Sequence, residues 1–202
     1  MSELTMNTAM DALVFGDFQI PHSENNEYLT LQFSPSFGPR QKRWRNYGLS
    51  ADFLGDYFAA FFPGTALPDS AINQQDTVKG AISYIANELL ENAIKYTDES
   101  LVTPISISLY LQEDLITFRV VNHANESTAN SYIDFVQRII TAEDIDALYT
   151  AQLEKAALGE GQSSMGLLTM IGDYQAQFAW RFTPDPSHHG AMVVDVLAYL
   201  KV

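Results

Sequence analysis

The sequence predicts a two-layer α+β sandwich, a mostly antiparallel sheet with helices on one face. Three observations carry this. Tyr84 to Thr97 reads YIANELLENAIKYT, and Ile82, Ile85, Ala86, Leu89, Leu90, Ala93 and Ile94 recur at spacings of three and four, which makes one apolar stripe on a helix. Ile105 to Leu111 reads ISISLYL, a strict alternation that makes a strand with one buried face. The elements then follow in the order strand, two helices, hairpin, helical segment, small-residue loop with a helix, and hairpin, an order that stacks helices on an antiparallel sheet.

Length and composition bound the function. With 202 residues and 47% hydrophobic content the chain supports one domain with a full core. No apolar run approaches the roughly 20 residues of a membrane span, and the N-terminus carries no basic segment followed by an apolar one. The expectation is a cytoplasmic protein with no membrane partner. Cysteine is absent, so neither a disulfide frame nor a thiolate zinc site forms. A formal charge of −14 argues against nucleic acid as a partner, since phosphate backbones demand a surplus of Lys and Arg. Four of the eleven basic residues nevertheless fall in Arg40 to Arg45 (RQKRWR). That island suits either an acidic partner or a phosphate, or is a solvated loop that balances an acidic body.

Residues 1–27 hold a short apolar patch, Ala12 to Phe18, before Pro21 and His22, and read as an arm or an extra edge strand. Tyr28 to Phe33 alternates and reads as a strand, and Ser34 to Pro39, with two prolines and a glycine, as a loop. Ser50 is the expected N-cap of a helix through about Phe62. Its aromatics, Phe53, Tyr57, Phe58, Phe61 and Phe62, exceed what one buried face needs. Asp76 or Thr77 is expected to open the long helix. Strands are expected at 105–111 and 115–121, helices within 127–158, a Gly/Ser loop from Gly159 feeding a helix through Asp173, and strands at 175–182 and 191–200. Adjacent His188 and His189 in the last loop read as solvated turn residues, because neighbours in a loop do not readily chelate one ion.

The candidate site lies on the long helix. Glu88 and Asn92 stand four apart on one flank of the stripe, one above the other. A carboxylate above a carboxamide suits a magnesium ion held by the amide oxygen with a proton acceptor one turn away; the alternative is the polar edge of an ordinary amphipathic helix. The run Glu88 to Thr97 (ELLENAIKYT) resembles the N-box of the GHKL superfamily of gyrase, Hsp90, histidine kinases and MutL. Gly159 to Leu168 (GEGQSSMGLL) is similar to that superfamily's G2 box in the form found in small anti-sigma factor serine/threonine kinases of the SiaB type.

The resemblance implies a Bergerat ATP-binding fold over residues 28–202 with a helical lid at about 127–158. It implies ATP and Mg2+ as cofactors, Glu88 as general base and Asn92 as magnesium ligand. Lys95 would offset phosphate charge, Tyr96 would lie near the base, and Gly161, Ser163, Ser164 and Gly166 would line the phosphates. Where that superfamily carries an adenine-binding Asp-x-Gly-x-Gly motif, this chain has Asn122, His123, Ala124 and Asn125, so Asn122 takes the acid's place and both glycines are missing. An Asn oxygen also accepts from the adenine amino group. The implied activity is phosphorylation or sequestration of a STAS-like antagonist protein in bacterial partner switching. The alternative is a GHKL-fold binding module with a degenerate nucleotide site. The sequence leaves the oligomeric state open, a homodimer included. A histidine kinase lacks support because no His falls in a predicted helix.

Overall fold

The computed structural model describes residues 12–22, 27–34, 40–64, 73–157 and 165–202. Strands β1 (Leu13–Phe15), β2 (Glu27–Phe33), β3 (Ile105–Gln112), β4 (Leu115–Asn125), β5 (Gln177–Pro184) and β6 (Ala191–Lys201) form one sheet in the order β1-β5-β6-β4-β3-β2, every pairing antiparallel. Helices α1 (Arg40–Ala59), α2 (Gln74–Tyr96), α3 (Glu126–Ile140), α4 (Ile145–Ala157) and α5 (Met165–Gly172) complete the described residues.

Alternation divides the sheet into two unlike faces. Ile105, Ile107 and Leu109 of β3 share a face with Ile116, Phe118 and Val120 of β4, and this face meets the helices; all six are buried. The opposite face is polar. There Asp195 is 2% exposed and accepts from Arg119 Nε at 3.0 Å, Arg119 Nη2 at 2.9 Å and Arg181 Nη2 at 2.7 Å, so a buried carboxylate is held by two guanidinium groups.

Helix α2 is the centre of the helical layer. Its stripe is buried at Val78, Ile82, Ile85, Ala86, Leu89, Leu90, Ala93 and Ile94. Each Val, Leu or Ile among them, taken fully from water, stabilises by about 1.5–3 kcal/mol, and each Ala by less. Helix α1 lies along it through Ala51, Leu54 and Phe58. Gly55 makes the approach close: a Cβ there would overlap the Ser83 side chain and stand 3.0 Å from the Lys79 carbonyl.

Several boundaries differ from expectation for local reasons. Helix α1 starts at Arg40 rather than Ser50, because Arg, Gln and Lys are good helix formers and Tyr47 extends the buried stripe of Ala51, Leu54 and Phe58 by one turn. The basic run 40–45 therefore lies in helix, not in a loop. Ser50 is interior and donates its hydroxyl to the Asn46 carbonyl at 2.8 Å, and α1 stops at Ala59, short of Phe62. Asn73 caps α2, its side chain accepting from Gln75 N–H at 2.9 Å, so the helix opens at Gln74 ahead of Asp76 and Thr77. Strand β4 continues to Asn125 instead of Val121 because β6 pairs with it as far as Ala191.

Candidate functional site

Burial of the α2 stripe fixes what its flank presents. Glu88, Asn92 and Lys95 are half-buried beside it and face a cleft of about 400 Å3. Tyr84 and Glu91 of α2 share that wall, and Met165, Gly166 and Thr169 of α5 form the other. Tyr84 of α2 stacks on Tyr174, two residues past the end of α5, with ring centres 4.9 Å apart.

The Glu88 carboxylate reaches across to the first turn of α5. A Cβ on Gly166 would stand 2.6 Å from Glu88 Cδ and 3.2 Å from Cγ, so only a residue without a side chain lets the acid lie there. Burial, and then the neighbouring charge of Glu91, raise the Glu88 pKa above the ordinary carboxylate value. Asn87 ties down that neighbour, its Nδ2 donating to Glu91 Oε1 at 3.1 Å. A half-buried acid with a raised pKa is poised to accept a proton.

Asn92 also lines a second, nearly closed cavity of about 10 Å3, together with Tyr96, Asn122, Ala124, Val194 and the α3 residues Thr128, Ala129 and Tyr132. Asn122 stands on the helix-facing side of β4, 3% exposed, and its Nδ2 has no hydrogen-bond partner. Room for about one water is all the cavity offers. Tyr132 closes it: its ring stacks on Tyr96 at 6.1 Å, and its hydroxyl accepts from Trp180 Nε1 at 3.0 Å. Lys95 Nζ lies 5.3 Å from the Tyr96 ring centre, a cation–π distance. Helix α3, in the region expected to be a lid, is anchored by buried Ala129, Phe135, Val136 and Ile139.

The structure thus brings Glu88, Asn92, Lys95 and Gly166 to one cleft and Tyr96 and Asn122 to the adjoining cavity, with Asn92 on the wall of both. Gly161, Ser163 and Ser164 lie outside the described residues. Sequence reasoning passed over Tyr84 and Glu91, although Tyr84 stands four positions before Glu88 and Glu91 three after it, spacings that share a helix flank. It also passed over a cluster at the end of β4. Asp185 Oδ2 stands 3.0 Å from His188 Nδ1 and 3.6 Å from His123 Nε2, so His188 is tied to a buried carboxylate rather than merely solvated. Burial pushes Asp185 up, but the Ser187 N–H and His188 outweigh it and hold the acid below the ordinary range. His123 is held low by burial, against the pull of Asp185. Among the described residues no group of three or more His, Cys, Asp or Glu side chains is arranged to hold a metal ion.

Comparison with known proteins adds no relative: no family model matches the chain, and no curated protein is detectably similar to it.

Proposed function

We propose that this protein is an ATP- and magnesium-dependent protein serine/threonine kinase of the GHKL type, acting in the cytoplasm on a small STAS-like antagonist protein. The observation that carries the reading is the shared cleft: an acid, a carboxamide and a lysine on one helix flank face a glycine on the first turn of another helix, around about 400 Å3. A packing helix has no use for that combination on an open wall. The donor set fits the phosphate side of magnesium–ATP, with a carboxamide oxygen for the ion and a lysine for the phosphates. On the base side, the unpartnered Nδ2 of Asn122 beside its acceptor oxygen is a pair that the amino edge of adenine can satisfy, and entry of a base requires α3 to shift Tyr132.

In this reading Asn92 would hold the ion and Lys95 would offset the charge of the phosphates. Glu88, already raised in pKa, would accept the proton of the substrate hydroxyl as that oxygen bonds to the terminal phosphorus, the bond to the β-phosphate oxygen breaks and ADP leaves. Magnesium–ATP, when bound, supplies the phosphoryl group and screens its charge. Transit of the base past α3 couples nucleotide to the outer face of that helix, where a partner would sense it. Incubation with labelled ATP and STAS-domain candidates tests the activity. Label on a serine or threonine of the partner, lost in Glu88→Ala, is expected; equal transfer by Glu88→Ala would remove Glu88 from its role.

One observation favours a second reading, a binding module without nucleotide. The cavity at Asn122 is closed by Thr128, Ala129 and Tyr132, and that module would keep it so. Calorimetry separates the two: heat on addition of magnesium–ATP supports the kinase, and its absence at millimolar nucleotide supports the module.

A further inference from the structure

The polar face of the sheet carries a groove that the proposed activity does not use. It lies at the end of β4 away from Asn122 and has a volume of about 630 Å3, within the range of small-molecule sites. Its outer wall exists because of Gly16. That residue has φ +72°, and a Cβ on it would stand 2.6 Å from the Phe178 carbonyl, so only glycine lets the chain leave β1 and turn close against β5. Residues 17–22 then run along the groove. Tyr199 holds them: its hydroxyl donates to the Asp17 carbonyl at 2.7 Å and accepts from the Gln19 N–H at 3.2 Å.

The lining is selective in kind. Gln112 and Gln177 offer carboxamides that both donate and accept, and Gln19 Nε2 donates to Asp17 Oδ1 at 2.8 Å, which leaves the Gln19 oxygen and the second Asp17 oxygen as acceptors. Ile20, Pro21, Leu115 and the Tyr199 ring supply apolar surface between them. No Lys or Arg lines the groove among the described residues; His22 is its one basic side chain. At the floor stands Thr117, 0% exposed, whose Oγ1 has no hydrogen-bond partner. A buried hydroxyl left unpaired costs about 1–3 kcal/mol, and with no accessible surface it meets a ligand only when the side chains above it part, so its retention beneath a polar groove marks a group that a ligand satisfies through that shift.

We infer that this groove binds a neutral polyhydroxylated ligand of the sugar class. Paired donors and acceptors on carboxamides match hydroxyl groups, which also donate and accept. Apolar surface beside them matches the C–H face of a sugar ring. Three carboxamides and a carboxylate with no guanidinium or ammonium group are a poor match for an anion.

Saturation-transfer NMR on the whole protein tests this, with D-glucose, maltose and N-acetylglucosamine as probes and inorganic phosphate and putrescine as counter-probes. Transfer to at least one sugar is expected, with affinity about tenfold weaker in Thr117→Val, the loss of one hydrogen bond. Thr117→Val keeps the side chain's shape, and its thermal midpoint is expected to equal or exceed that of the parent, because an unpaired hydroxyl is removed. Transfer to no sugar at tens of millimolar would overturn the proposal. So would preference for phosphate or putrescine, or equal sugar affinity in the variant. A variant that unfolds would show Thr117 to be structural and overturn it as well. Gln177→Ala, at an exposed site, gives an independent reading, with a similar weakening expected and no change in stability.

Discussion

Gly166→Ala reports on whether the Glu88 carboxylate is free to move. The new methyl would stand 2.6 Å from Glu88 Cδ and 3.2 Å from Cγ, against about 3.5–4.0 Å for ordinary carbon contact. The obstacle is the end of a side chain with three torsions, and the open cleft of about 400 Å3 gives it somewhere to go. Its retreat costs about 0.5–1.5 kcal/mol if it ends off a rotamer, and Ala in place of Gly in α5 returns up to about 1 kcal/mol. The two nearly cancel. At about 2–4 °C per kcal/mol for a chain of this size, the midpoint of thermal unfolding should move by less than about 3 °C either way. Expelled towards water, Glu88 should lose its raised pKa, which carboxyl NMR titration of the variant reads directly. A fall of more than about 6 °C with the Glu88 pKa still raised would mean that the acid is locked against α5 as a structural group, and its role as a mobile proton acceptor would be refuted.

Three further outcomes follow from the structure. Asp195→Ala leaves Arg119 and Arg181 facing each other without their carboxylate; because their side chains are 27% and 35% exposed, the loss should fall below the roughly 3–5 kcal/mol of fully buried broken pairs, at about 2–3 kcal/mol by urea denaturation. Leu90→Ala, at a wholly buried position on α2, should cost about 2–5 kcal/mol in the same assay. Burial holds the folded His123 pKa below the ordinary imidazole value of about 6.5, so the unfolded chain takes up the proton first and stability should fall as pH drops from about 6.5 towards the depressed folded value. His123→Gln should flatten that part of the stability–pH curve, and an unchanged slope would locate the effect elsewhere. The lowered Asp185 pKa acts in a separate window, its contribution being lost only as pH falls below the ordinary carboxylate range.

Much of this was legible because it repeats. Spacings of three and four on α2 marked both its buried stripe and the flank bearing Glu88 and Asn92, and period two on β3 marked its buried face, whereas Lys95 and Asn122 were singled out only by resemblance. What hid was set by tertiary contact. The first turns of α1 look like a charged loop until Tyr47 is seen against Phe33, ring centres 5.0 Å apart. Closure of the Asn122 cavity depends on Tyr132 stacking on Tyr96 and bonding Trp180, residues on three different elements. Pairing of His123 with Asp185 likewise needs β4 and the β5–β6 loop brought together, and no spacing in the chain announces it. Asn73 hid for a simpler reason, since Asp76 and Thr77 are equally good capping residues and only the backbone decides among them.

If the proposed function holds, the α2–α5 cleft takes magnesium–ATP through Asn92, and isothermal titration of the whole protein with ATP, in magnesium and in excess EDTA, reads this binding. Saturable heat is expected in magnesium and is expected to be lost in EDTA and in Asn92→Ala, with the variant retaining the parent's thermal midpoint. Heat that survives in Asn92→Ala, or no heat from the parent protein at millimolar nucleotide, would contradict it.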